Sequence, residues 1–271
     1  MKKISLKIFI GLIWIQNSFS QISCDIENRP FQDGEYLEYN VTYEWGFVTI
    51  KAGEVIFEVN DEKKLGENVY HFEGTGRTYD NYDWIYKVRD KYDTWVDTID
   101  LSPHEFFRTA DEGGNKYSNH YVFDRTVDSI YVETAIEDLV TYDTLGYQNC
   151  LFDILSLVYY CRTIDFDSLV INQKVPLKII LGGEKSEIYV RYLGKEVQEV
   201  DDVGSFNTVK FSALLVEGSI FSKGEDMYIW LTDDKNRFPV RVQAEIWVGS
   251  VNSVLRSYKG LKYPVISKIE D

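Results

Sequence analysis

Three histidines, three cysteines and five prolines among 271 residues leave little material for several kinds of chemistry. His71, His104 and His120 are scattered, and no His-x-x-x-His or Cys-x-x-Cys spacing points to zinc. No Gly-x-Ser-x-Gly elbow accompanies them. Gly74-Thr75-Gly76 lacks the further glycine and the helix start of a phosphate-cradling loop. No catalytic, cofactor-binding or metal-ligating residue is therefore assigned. Positive charge is also short, with 29 Lys and Arg against 44 Asp and Glu and a formal net charge of −15. That excludes a nucleic-acid footprint, which needs cations to displace counterions from phosphate, and it disfavours docking onto anionic lipid. No linker, low-complexity tract or fixed-period repeat divides the chain.

The first twenty residues stand apart. Lys2, Lys3 and Lys7 precede an apolar run from Ile8 to Ile15, and Ser18-Phe19-Ser20 supplies small residues at the positions a signal peptidase reads. The run is too short to span a bilayer. The reading is a signal peptide over 1–20, cut between Ser20 and Gln21, and one exported domain over 21–271 with no transmembrane segment. Loss of the three lysines takes the charge from −15 to −18. The expected location is the periplasm or the exterior. Lipid anchoring through Cys24 is a second fate, although Gln21 stands where a lipoprotein signal wants an aliphatic residue.

What the chain has in abundance is aromatic side chains: 20 Tyr, 15 Phe and 6 Trp. Aromatic and β-branched residues favour strands. Leu37, Tyr39, Val41, Tyr43 and Trp45 alternate with Glu38, Asn40, Thr42 and Glu44, the period of a half-buried strand. A break at Gly46 to Gly53 is followed by Val55, Phe57 and Val59. Similar runs recur at Val69–Phe72, Tyr86–Val96, Tyr121–Phe123, Ser129–Glu133, Leu177–Leu181, Glu187–Leu193, Val209–Leu215, Met227–Leu231 and Val240–Val248. Asp111 to Asn115 and Gly182 to Lys185 are hairpin turns. Leu151 to Arg162 instead reads as a short helix that is apolar on nearly every side, hence buried. The expected fold is mainly β: a curved antiparallel sheet, or an open or closed barrel-like meander, wrapped around that helix. Cys150 and Cys161, at the ends of the segment, would lie roughly 16 Å apart on a helix, so free buried cysteines are expected.

Several clusters stand out together: Phe31 to Tyr39, Lys51-Ala52-Gly53-Glu54, Asp153 to Arg162, Trp230 to Asp234, Arg237 to Arg241 and Val248-Gly249-Ser250. In their order and spacing they resemble the domain-of-unknown-function 3108 family of exported bacterial proteins, a likeness that covers about 31–257. The resemblance implies an exported, mainly β envelope protein and carries no activity or site residues.

Four polar residues merit attention as structural candidates. Asp90 shares the apolar face of its strand with Val88 and Tyr92, so burial demands a partner, for which Arg162 at the helix end is the candidate. Asp233 and Asp234 open a turn, where short acids bond the backbone; this turn and Asp80 to Asp83 are acid-rich without matching a calcium loop. Four Asp-Ser/Thr-aliphatic triplets, at Asp97, Asp128, Asp143 and Asp167, resemble a short O-glycosylation signal and also arise by chance in an acidic chain. Three functions follow in order: a non-catalytic binding or envelope-maintenance module, a carrier of lipid or another apolar ligand, and an envelope-polymer hydrolase using one of the histidines. Partners are an apolar small molecule or an envelope protein. A cavity of roughly 300 Å³ or more beside the helix would favour small-molecule binding.

Overall fold

The computed structural model describes residues 24, 26, 28–64, 66–214, 227–246 and 249–270. The expected leader, its expected cleavage point between Ser20 and Gln21, and Leu215 and Val248 of the expected strands lie outside the described residues. Within them the chain runs β1 (Tyr36–Trp45), β2 (Val48–Lys64), β3 (Glu67–Thr78), β4 (Val88–Asp97), β5 (Pro103–Glu112), β6 (Asn115–Asp124), β7 (Ser129–Ile136) and β8 (Leu139–Gly146). It continues with β9 (Leu151–Phe152), α1 (Ile154–Cys161), β10 (Lys174–Leu181), β11 (Glu184–Val200), β12 (Gly204–Ala213), β13 (Met227–Thr232), β14 (Pro239–Glu245), β15 (Ser250–Lys259) and β16 (Lys268–Ile269). Among the described residues no helix is long and apolar enough to cross a membrane.

The strands form one curved, mainly antiparallel sheet in the order β8-β7-β6-β5-β4-β3-β2-β1-β15-β14-β13-β12-β11-β10-β9, with β16 beside β12. Two meanders are thus joined where β1 pairs with β15, from Tyr36 opposite Lys259 to Glu44 opposite Ser250. The sheet is open, since β8 and β9 are not paired with each other. Its curl nevertheless brings the far ends together: the Gly183 amide donates to Tyr121 Oη at 2.9 Å, and Lys185 Nζ donates to the Gly146 carbonyl at 3.0 Å.

Local chemistry explains the hairpins. Gly113 and Gly114 have φ of 62° and 90°, and Gly182 and Gly183 have 59° and 84°. Consecutive positive φ values give the tight turn whose twist matches the flanking strands. The expected break from Gly46 to Gly53 is instead a tight hairpin turn followed by a bulge. β2 begins at Val48, and its register against β1 slips between Val41 and Thr42. A Cβ on Gly53 would sit 2.2 Å from the Arg77 carbonyl oxygen, so only glycine lets β3 approach there. β5, β8 and β15 are strands the alternation does not reveal. Adjacent Phe106 and Phe107 put an aromatic on each face of β5; β8 is exposed along nearly its whole length; β15 buries Asn252.

The helix is shorter than its apolar segment. Leu151 and Phe152 pair in parallel with Lys178 and Ile179. Asp153 caps α1, its Oδ1 accepting from the Leu155 and Ser156 amides at 2.9 Å and its Oδ2 from Thr94 Oγ1 at 2.7 Å. Fully buried, this carboxyl is raised above its ordinary range by desolvation. α1 lies in the hollow of the sheet against β3, β4, β9 and β10. Aromatic rings fix it there: Tyr159 stacks on Phe72 with centroids 3.8 Å apart, and Phe31 meets both rings edge-on.

The cysteine expectation requires correction. Cys24 and Cys150 form a disulfide with Cα atoms 5.7 Å apart, and Cys161 is the free thiol. Cys150 precedes β9 in a positive-φ turn (60°) rather than lying on the helix, so spacing to Cys161 was the wrong comparison. A sulfur in this bridge has no valence for a lipid thioether, so the disulfide and a lipid anchor at Cys24 exclude each other. The bond closes a loop of 126 residues. Cys150→Ala should therefore lower unfolding free energy by about 3–5 kcal/mol in denaturant titrations. Non-reducing peptide mapping should recover Cys24 linked to Cys150; alkylation of Cys24 without reductant would contradict the pairing.

Candidate functional site: an apolar cavity beside the helix

α1 does not fill the hollow. Between it and the inner faces of β1 to β4 lies a cavity of about 450 Å³, a size at which small molecules are held. Val55 and Phe57 of β2, Val88 and Tyr92 of β4, Val251 of β15, and Ile154, Leu155 and Val158 of α1 give it an apolar wall. Its space has a sequence cause. Phe72, Gly74 and Gly76 follow one another on the inner side of β3, and the two glycines project nothing into the hollow. A Cβ on Gly74 would already touch Phe57 and Leu155 at 3.4 and 3.5 Å. The strand ends that frame the cavity run on into two exposed apolar segments, Trp45-Gly46-Phe47-Val48 and Trp84-Ile85-Tyr86.

Asp90 lines this cavity, on the face the alternation assigned to it. Its partner is not Arg162. Tyr92 Oη donates to Asp90 Oδ2 at 3.3 Å, and Arg108 Nη2 stands 3.7 Å from the same oxygen while bonding Glu112. Asp90 Oδ1 is buried with no hydrogen-bond partner among the described residues. Desolvation, reinforced by the charge of Glu112 and opposed by Arg108, pushes this carboxyl up to about 6.

Arg162 is committed elsewhere. Its Nη1 and Nη2 donate to Glu35 Oε1 and Oε2 at 2.5 and 3.0 Å, and Nη2 also donates to the Pro30 and Asn236 carbonyls at 3.2 and 2.9 Å. Both charged side chains are 1% exposed. The sequence contains Glu35 in the quoted Phe31 to Tyr39 cluster, but no local pattern separates it from the surface acids. Asp233 accepts from Lys195 at 3.0 Å. Asp234 accepts from the Asn236 amide at 2.9 Å and from Ser267 Oγ at 2.6 Å, as a turn-forming acid should. Asp80 and Asp83 both meet Arg89, at 3.1 and 2.6 Å. Each acid-rich turn thus has protein donors.

The histidines lie away from the cavity wall. His71 Nδ1 and Nε2 meet Glu62 and Asp93 at 2.9 and 3.1 Å, with the ring stacked on Trp95. His120 meets Glu105 at 2.6 Å, and burial lowers His104. His71, Glu73 and Asp93 have ligand atoms within 4.8 Å of one another and could hold a cation. Lys91 already supplies positive charge there, 3.1 Å from Asp93 and 3.7 Å from Glu73.

Two outcomes follow from these charges. Removing the guanidinium in Arg162→Met strands a buried carboxylate and should cost about 3–5 kcal/mol in equilibrium denaturation, with much of the loss recovered in Arg162→Met/Glu35→Leu. For Asp90, the folded value lies above the ordinary 3.8. The folded state therefore holds this proton more tightly than the unfolded chain, and the contribution is complete below about pH 4 and lost as pH rises through 6. Asp90→Asn should raise Tm by about 2–4 °C at pH 7.5 and leave it nearly unchanged at pH 4; equal shifts at both pH values would contradict the burial.

Comparison with known proteins places the architecture. The solved beta-barrel-like protein of domain of unknown function DUF1849 from Brucella abortus superposes with a TM-score of 0.54 at 8% identity, covering 85% of this chain and 98% of that one. At that identity the likeness concerns the fold alone. A putative lipoprotein from Parabacteroides distasonis aligns at 11% identity over 88% of this chain and 100% of the other, with a TM-score of 0.33. No curated protein matches. The family model described as Protein of unknown function (DUF3108) matches residues 38–256, within the limits the sequence clusters outlined, and the chain belongs to that family.

Proposed function

We propose that this is an exported, single-domain, non-catalytic binding protein of the bacterial envelope whose cavity takes the apolar part of a small molecule. The observation that carries the reading is the space of about 450 Å³ beside α1. An open sheet wrapped on a helix could have been packed solid; here two glycines and a helix set to one side leave an apolar volume. The acidic chain supports passage through an aqueous compartment and gives no support to an anionic partner. A hydrolase reading finds no support at the cavity, whose wall carries no histidine.

The apolar fluorophore N-phenyl-1-naphthylamine tests the reading. The mature protein should enhance its emission with saturable, micromolar binding. Val158→Trp and Gly74→Val, which fill the cavity from opposite walls, should weaken binding at least tenfold with unchanged circular dichroism. Val122→Ala on the outer face should leave it intact. Absence of saturable binding, or full binding in both filled variants, would remove the basis of the proposal.

A further inference from the structure

We propose that Trp45 to Val48 and Trp84 to Tyr86 seat the protein on an electrically neutral phospholipid surface. The proposal goes beyond the cavity reading, since it concerns another part of the molecule and requires no ligand. Both segments are turns at one end of the sheet. Trp45 pairs with Val48 at the tip of the β1–β2 hairpin, and the link from β3 to β4 starts beside that hairpin, with the Tyr79 amide donating to the Ala52 carbonyl at 2.9 Å. Phe47 is fully exposed, Trp84 is 81% exposed and Trp45 61%. Trp45 and Trp84 are the two exposed tryptophans among the described residues.

Apolar turns held in water mark a surface that something covers. Lipid suits these turns on three grounds. Trp and Tyr rings favour the headgroup level of a membrane, while Phe and aliphatic side chains reach deeper. The backbone offers lipid few unmet groups, since the Ile85 and Tyr86 amides both donate to the Tyr82 carbonyl, at 2.9 and 3.3 Å. A bilayer also yields to side chains projecting from two separate turns, where a folded partner would need a matching hollow for each. Nearby charges decide the kind of lipid. Arg89 meets Asp80 and Asp83, Lys87 meets Asp111, and Arg77 meets Glu54. No surplus cation remains in that group to hold an anionic headgroup. Ala52, Thr78 and Val88, which lead into the two turns, line the cavity, so its apolar volume adjoins the lipid contact.

The experiment is co-flotation of the mature protein with phosphatidylcholine vesicles, with and without about one third phosphatidylglycerol, at about 0.15 M salt. The protein should float with both, and at least as well with the neutral vesicles. Phe47→Ser/Trp84→Ser should bind at least tenfold more weakly, the effect of withdrawing two aromatic side chains from lipid, with unchanged circular dichroism. Val127→Ser, in an exposed turn at the opposite end, should float like wild type. No flotation, undiminished flotation of the double variant, or a requirement for phosphatidylglycerol would overturn the proposal. So would self-association in sedimentation velocity that the double variant abolishes while vesicles go unbound, which would assign the turns to a second copy of the chain. Val158→Trp, whose cavity is filled, should still float. Failure of N-phenyl-1-naphthylamine to bind would thus remove the cavity reading and leave this one standing.

Discussion

A guanidinium with no access to water organises this molecule. Arg162 leaves the end of α1 and reaches Glu35 with two hydrogen bonds, then the Pro30 and Asn236 carbonyls. It thereby ties the segment before β1, the helix and the turn between β13 and β14 at one point. The faces of the group rest near Phe31 and Tyr159, about the right distance for cation–π attraction. Desolvating two such charges is expensive, and their mutual attraction offsets that cost only because both oxygens of Glu35 are engaged. A buried pair of this kind tolerates few alternative positions for the helix.

The position of the helix in turn decides what the hollow contains. Tyr159 faces Phe31 and Phe72, so that side of α1 is packed against aromatic rings. Ile154, Leu155 and Val158 face Gly74 and Gly76, where β3 has no side chains to offer. One flank is therefore a solid core and the adjoining one is space. An all-Val or all-Phe β3 would have closed the gap.

Inner and outer faces of β2 to β4 handle charge in opposite ways. Outside, Glu62, His71, Asp93, Lys91 and Glu73 form a row in which each acid lies beside a donor. Such a network is internally satisfied and leaves little reason to recruit a ligand. Inside, Asp90 has a cation at 3.7 Å and a hydroxyl at 3.3 Å on one oxygen, and the neighbouring Glu112 carboxyl opposes its ionisation.

Residues two apart share a strand face, so alternation indicated the β class and the inward placement of Asp90, while turn residues indicated the hairpins and an all-round apolar segment the buried helix. The Gly74-Thr75-Gly76 run was visible too, and interior glycines in a strand do signal missing side chains, but only the opposing helix turns missing side chains into a cavity. Pairings across long stretches of chain are different in kind. That β1 lies beside β15, that Cys24 meets Cys150, and that Arg162 chooses Glu35 over Asp90 depend on how two meanders curl toward each other. Local periodicity contains no term for that curvature, because the energy that selects it comes from contacts formed only once the whole sheet has curled around its helix.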